Sequence, residues 1–115
     1  MKFVFMNDKE RYEHIVRHYI ELCDEVIAFN EETSPNERKT VLKKAIYMDL
    51  FQIGEHIGKL SPAVRNKIKP LDVKGIISIR NIIGHGYQQV DPEIIWDTIE
   101  KDCPRLIKTL KKLFE

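Results

Sequence analysis

Within eight residues, Arg80-Asn81-Ile82-Ile83-Gly84-His85-Gly86-Tyr87, the chain sets an arginine, a histidine and a tyrosine at the end of an apolar stretch. An arginine supplies a permanent charge and a planar fork of donors suited to a phosphate, and a histidine takes and gives protons near neutral pH. Cleavage of an RNA phosphodiester needs little else, because the ribose 2′-hydroxyl is itself the nucleophile. Acid-base catalysis with stabilisation of the charged phosphorane suffices without a bound ion. The same residues also have an ordinary use. Arg80 could cap a helix end or pair with an acid such as Asp49, His85 could sit in a loop, and Tyr87 could fill the core.

Spacing sets a geometric condition on the chemistry. A helix advances about 100° per residue, so Arg80 and Tyr87, seven apart, share a face, while Arg80 and His85 point roughly 140° away from each other. Gly84 and Gly86 offer a remedy, since either can end the helix in a left-handed conformation and swing His85 back toward the Arg80 face. Arg80 and His85 are therefore the catalytic candidates, with Asn81, Gly84 and Gly86 in support. Residues 59–80 carry Lys59, Arg65, Lys67, Lys69, Lys74 and Arg80 against the single Asp72, a basic run that could hold an RNA backbone.

The elements that must present this motif read as helices. Asn7 with Glu10 three residues on resembles a capping box, and Tyr12, Ile15, Val16, Tyr19, Leu22, Cys23, Val26 and Phe29 follow at spacings of three and four. Ser34-Pro35-Asn36-Glu37 predicts a second start, with Ser34 as N-cap, for a helix striped by Leu42, Ile46, Leu50, Ile53, Ile57 and Leu60. Gly54 and Gly58 lie on it one turn apart, a spacing that suggests close approach of another backbone. Ser61-Pro62 opens a short helix that Pro70 ends, and Asp72 is the candidate N-cap of the next helix. That helix, with Val73, Ile76, Ile77, Ile79, Ile82 and Ile83, is apolar on most sides and so centrally buried. Asp91-Pro92-Glu93 opens the last, in which Pro104 predicts a kink near Glu100 and Lys101, Arg105, Lys108 and Lys112 form a basic row read as a solvated face.

Four or five amphipathic helices with short connections and no strand signal imply one all-α domain over residues 1–115, an antiparallel helix bundle. With 43% apolar residues in 115, the chain supports one core and hardly two. Its net charge of +1 excludes a polybasic tail. Cys23 and Cys103, eighty positions apart, match neither a metal spacing nor a secreted disulfide framework and are expected reduced. No segment approaches the length of a membrane span, and Phe3-Val4-Phe5-Met6 is too short for a signal peptide, so a cytoplasmic location is expected. His14 and His18, at i and i+4, lack an interposed glutamate or an evident third ligand, so no metal site is assigned.

The motif carries a resemblance. Arg80-x-x-x-x-His85-x-Tyr87 is similar to the signature of the HEPN superfamily, and R-N-I-I-G-H-G-Y-Q-Q-V-D looks like its HepT toxin branch. The likeness extends through Ile53-Gly54-Glu55, Leu60-Ser61, and Asp91, Trp96 and Pro104 of the last helix, covering most of residues 10–113. It implies an all-α bundle that dimerises so that two motifs meet in a cleft. The activity implied is that of a metal-independent endoribonuclease without a cofactor, using Arg80 and His85. It further implies the toxin of a type VII toxin–antitoxin pair, neutralised by an MntA-like nucleotidyltransferase antitoxin that transfers AMP from ATP to Tyr87. The added negative charge would block RNA from the cleft. One departure is visible: members often carry a tryptophan shortly before the motif, where this chain has Leu71-Asp72-Val73. Two other readings compete: a non-catalytic nucleotide- or partner-binding module using the same cleft, and a metal-dependent enzyme built on His14, His18 and His56.

Overall fold

Asn7 opens the first helix, its side-chain oxygen accepting the Glu10 backbone N–H at 2.8 Å. From there a computed structural model, describing residues 6–86 and 90–115, shows an all-α bundle. Its elements are α1 (Asp8–Glu31), α2 (Glu37–Gly58), α3 (Pro62–Arg65), α4 (Pro70–Gly86), α5 (Pro92–Asp97), a π-helical turn (Thr98–Asp102) and α6 (Cys103–Phe114). Among the described residues there is no strand, and no helix is long and apolar enough to cross a membrane.

The helices α1, α2, α4 and α6 pack as neighbours, with α6 returning against α1. Ile15, Leu22, Ile46, Leu50, Ile53, Ile57, Ile76, Ile79, Leu106 and Leu110 are almost fully buried between them. The predicted stripes are thus the core, and removal of their apolar surface from water is the main force holding the bundle. Within α4, Ile76 and Ile79 are fully buried, while Ile82 and Leu71 stay exposed. The helix is central along one side only.

Several boundaries differ from the sequence reading. The N-cap of α2 is Asn36, whose side chain takes the Lys39 N–H at 2.8 Å, and Ser34 stands outside the helix. Asn36 offers the same acceptor two residues later, closer to the first apolar turn. Pro70 begins α4 instead of ending α3, because a proline at the first helical position has no N–H to lose. Asp72 instead takes the Thr109 hydroxyl at 3.4 Å. The kink expected from Pro104 is a π-turn, with the Cys103 N–H reaching back five residues to the Thr98 carbonyl. One inserted residue relieves the clash of the proline ring with the Glu100 carbonyl. Gly75 of α4 makes room for this turn, as a Cβ there would run into the Asp102 carboxylate.

Both cysteines are free, and burial pushes the Cys103 thiol up to about 12. Asp8 joins the start of α1 to that of α3, accepting from the Ser61 N–H at 2.8 Å and its hydroxyl at 2.6 Å. Those two hydrogen bonds hold its carboxyl below the usual range.

Candidate functional site

Gly54 determines where Arg80 sits. A Cβ built on Gly54 would lie 2.5 Å from Arg80 Cβ and 3.5 Å from the Ile76 carbonyl oxygen, so α4 crosses α2 at a distance only glycine allows. The arginine stem rests in that gap. Its guanidinium then reaches Glu55, the next residue of α2, with Nε and Nη2 both donating to Oε1. Nη1 donates to Asn81 Oδ1 at 2.7 Å, and the group lies 5.8 Å from the Phe51 ring. Three partners from two helices thus fix a side chain that is still 40% exposed.

Arg80 lines an open cleft of about 310 Å³ together with Gly54, Glu55, Gly58, Lys59, Arg65 and Ile77. Lys59 Nζ stands 3.9 Å from Glu55, and Arg65 anchors itself on the Ile57 carbonyl at 3.3 Å. Three cations therefore face one carboxylate, which suits a polyanion. Gly58 behaves unlike Gly54: nothing lies within 4 Å of where its Cβ would be, so its role is to leave the cleft open.

The structure brings Asn81 beside Arg80 but does not converge His85 on it. Of the two glycines it is Gly86 that ends α4, with φ at +135°, while Gly84 remains helical and packed against Phe51, so the expected swing of His85 toward the Arg80 face does not occur. His85 is exposed in the last turn, and five helical residues keep it roughly 140° around from Arg80. The expectations for Tyr87 fall outside the described residues.

Glu55 was visible in the sequence only through the resemblance, and Asp49, the acid suggested as a partner for Arg80, serves His18 at 2.8 Å. Sequence periodicity does not tell which acids face a neighbouring helix. Because Glu55 holds Arg80, Glu55→Gln should keep the fold and slow about tenfold any cleavage that depends on the arginine, as hydrogen bonds to an ionised partner weaken. Circular dichroism with cleavage kinetics checks this.

The three histidines suggested as metal ligands cluster between α1 and α2 in another arrangement. The His14 and His56 rings stack at 5.1 Å, Arg11 donates to His56 Nδ1 at 3.3 Å, and Arg17 bonds His14. Two guanidinium groups beside the imidazoles oppose a further cation. His18, Glu21 and Asp49 place three donor atoms within 4.8 Å of one another, but none of them lines the cleft.

Burial, followed by the His14 and Arg11 charges, pushes His56 down to about 4. An unfolded histidine titrates near 6.5, so the unfolded chain binds the extra proton first as pH falls. The contribution of neutral His56 is intact above about pH 6.5 and is lost on the way down to about pH 4. Between pH 7 and 5 the bundle should lose about 1–2 kcal/mol through this group, a loss that His56→Gln removes in paired urea unfolding curves. Glu25 works in the opposite sense. Burial and the Asp49 carboxylate beside it push it up to about 8.

Comparison with known proteins places this arrangement. The family model described as Ribonuclease HepT-like matches residues 16–113. The chain belongs to the HepT-like ribonucleases, within the HEPN superfamily. A relative from Caldanaerobacter subterraneus subsp. tengcongensis, whose name proposes an RNase, is 35% identical over 75 residues, or 65% of this chain and 67% of its own. Two from Methanocaldococcus jannaschii, also named as proposed RNases, are 26% identical over 94 residues (80% and 86% of the two chains) and 28% over 100 residues (84% and 81%). No solved structure matches significantly. For a HepT-like ribonuclease, RNA is the substrate class, and the matched region contains the whole cleft around Arg80.

Proposed function

We propose that this HepT-like chain is a metal-independent endoribonuclease toxin acting as a homodimer, with Arg80 and His85 as its catalytic residues. The observation that carries the reading is Arg80, held by Glu55 and Asn81 over Gly54 in an open basic cleft. In this reading His85 takes the 2′-hydroxyl proton, the 2′-oxygen attacks phosphorus, and the 5′-oxygen leaves with a proton. The products are a 2′,3′-cyclic phosphate and a 5′-hydroxyl, with no water consumed. Arg80 offsets the charge that builds on the phosphorane oxygens.

The helical angle between Arg80 and His85 supports a dimer. One chain cannot aim both at one phosphate, whereas a two-fold pairing of the α4 C-terminal ends can bring His85 of one copy to the cleft of the other. Apolar surface suited to such pairing lies near that end: a hollow of about 210 Å³ lined by Lys44, Tyr47, Met48 and Ile83, with Ile82 exposed as well.

Regulation by a nucleotidyltransferase antitoxin that adds AMP to Tyr87 completes the proposal. An adenylyl phosphodiester two residues after His85 would put negative charge where the substrate phosphate must sit. Intact mass after co-expression with such an enzyme is expected to rise by one or more AMP units in the wild type and in none of the Tyr87→Phe chains. For the catalytic part, partner-free protein should cleave RNA in EDTA, and His85→Ala should not. Intact RNA together with measurable nucleotide binding would instead indicate a binding module.

A further inference from the structure

The sequence reading treats the basic row of the last helix as a solvated face, yet the fold gives it an opposing wall. Lys108 and Lys112 of α6 face Lys67 and Lys69 of the α3–α4 connection across a second cleft of about 310 Å³, with Arg105 and Asp72 also on its lining. Arg105 is committed to Asp102 at 2.6 Å, and Asp72 takes the Thr109 hydroxyl. The four lysines are exposed and make no ion pair among the described residues. Four ammonium groups around one cleft repel one another, a cost that a bound polyanion would turn into affinity.

The position of this second cleft says which polyanion. Arg65 at the end of α3 lines the first cleft and Lys67 the second, two residues apart, so the end of α3 and the connection after it form the wall they share, and at most about 7 Å separates their backbones. Along α4, Asp72 precedes Arg80 by eight residues, about 12 Å. A flexible single strand can therefore lie with one phosphate at Arg80 and continue over the connection onto the lysines.

We propose that the Lys67–Lys69–Lys108–Lys112 cleft is a second binding site for the RNA backbone, anchoring the strand beyond the scissile phosphate. This rests on the ribonuclease reading above and adds to it where the rest of the substrate lies. Lysines supply point charges without base-edge recognition, so the site contributes affinity and leaves sequence choice to the first cleft.

The test uses the full-length chain and a 2′-O-methyl oligoribonucleotide, which cannot be cleaved, with binding measured as fluorescence anisotropy over a salt series. Lys108→Gln/Lys112→Gln should raise Kd roughly tenfold at moderate salt and make the log Kd against log salt slope shallower by about 1.4, since each single-strand phosphate contact contributes about 0.7. Lys67→Gln/Lys69→Gln on the opposite wall should do the same, and Lys43→Gln, exposed in the first half of α2 and on neither cleft, should leave both unchanged. All are surface changes that preserve the bundle. With cleavable RNA, the paired variants should raise KM for a long strand and leave kcat in place. If both pairs keep wild-type affinity and slope, the proposal is overturned. Failure of the ribonuclease reading looks different: unmodified RNA would stay intact with the wild type, whatever the methylated strand shows.

Discussion

Arg80→Ala is expected to reduce RNA cleavage about 10²–10³-fold, the size seen when one donor to a developing oxyanion is removed. The fold should survive. The side chain is 40% exposed, and Lys59, already 3.9 Å from Glu55, remains to balance the carboxylate that loses its partner. Circular dichroism and the unfolding midpoint should therefore stay near wild type while the rate collapses. Arg80→Lys should be nearly as damaging, because an ammonium group cannot serve Glu55 and Asn81 together and still present a fork to the phosphate. His85→Ala, exposed in the last turn of α4, should cost about 10²–10⁴-fold, as loss of a general acid-base does. The sharper test is the combination Arg80→Ala with Glu55→Gln. If Glu55 acts only by orienting Arg80, the pair is no slower than Arg80→Ala alone, since residues in direct contact are not additive. A double variant slower by the full product of the two effects would give Glu55 a separate part in the chemistry.

What the sequence discloses here follows the range of the interactions involved. Helix starts at Asn7, Ser61 and Asp91 are legible because a cap is made within three residues of itself. Apolar stripes are legible because the helical period repeats inside one element. Arg80 and His85 stand out by residue type, but Glu55 reaches Arg80 from 25 positions away, through a crossing of α2 and α4 that no local pattern encodes. The same reason explains Gly54 and Gly58, each preceded by an isoleucine and lining the same cleft yet different in use: one is packed against Arg80 and the other has open space around it. Pro70, a stop by the sequence pattern, is a start in the fold for a different reason. Proline is as acceptable at a helix start as it is disruptive inside one, and only the preceding turn at residues 66–67 decides. Pro104 marks a disturbance in the sequence itself, while its form, a π-turn fitted to Gly75 and the buried Thr98, depends on the packing of α4 against it.

That crossing also yields a prediction with opposite outcomes at two glycines of one helix. Alanine in place of glycine favours a helix by about 1 kcal/mol, so Gly58→Ala, with open space around it, should raise the unfolding free energy by about 0.5–1 kcal/mol. Gly54→Ala receives the same local benefit but meets Arg80 Cβ at 2.5 Å and Cγ at 2.8 Å. These are the rigid near end of the side chain and not a flexible tip, so α2 and α4 must separate, at about 1–3 kcal/mol for overpacking. The net effect on stability is a loss of up to about 2 kcal/mol. Activity should suffer more than stability. Arg80 stands on the helix that moves and Glu55 on the one left behind, and a misplacement near 1 Å is enough for about a 10²-fold loss of rate. Cleavage measured well below the unfolding midpoint should therefore drop steeply in a Gly54→Ala protein that is still folded. Wild-type cleavage in that variant would show that the α2–α4 crossing does not position the arginine, and the site would have to be rebuilt around Glu55 and Asn81 alone.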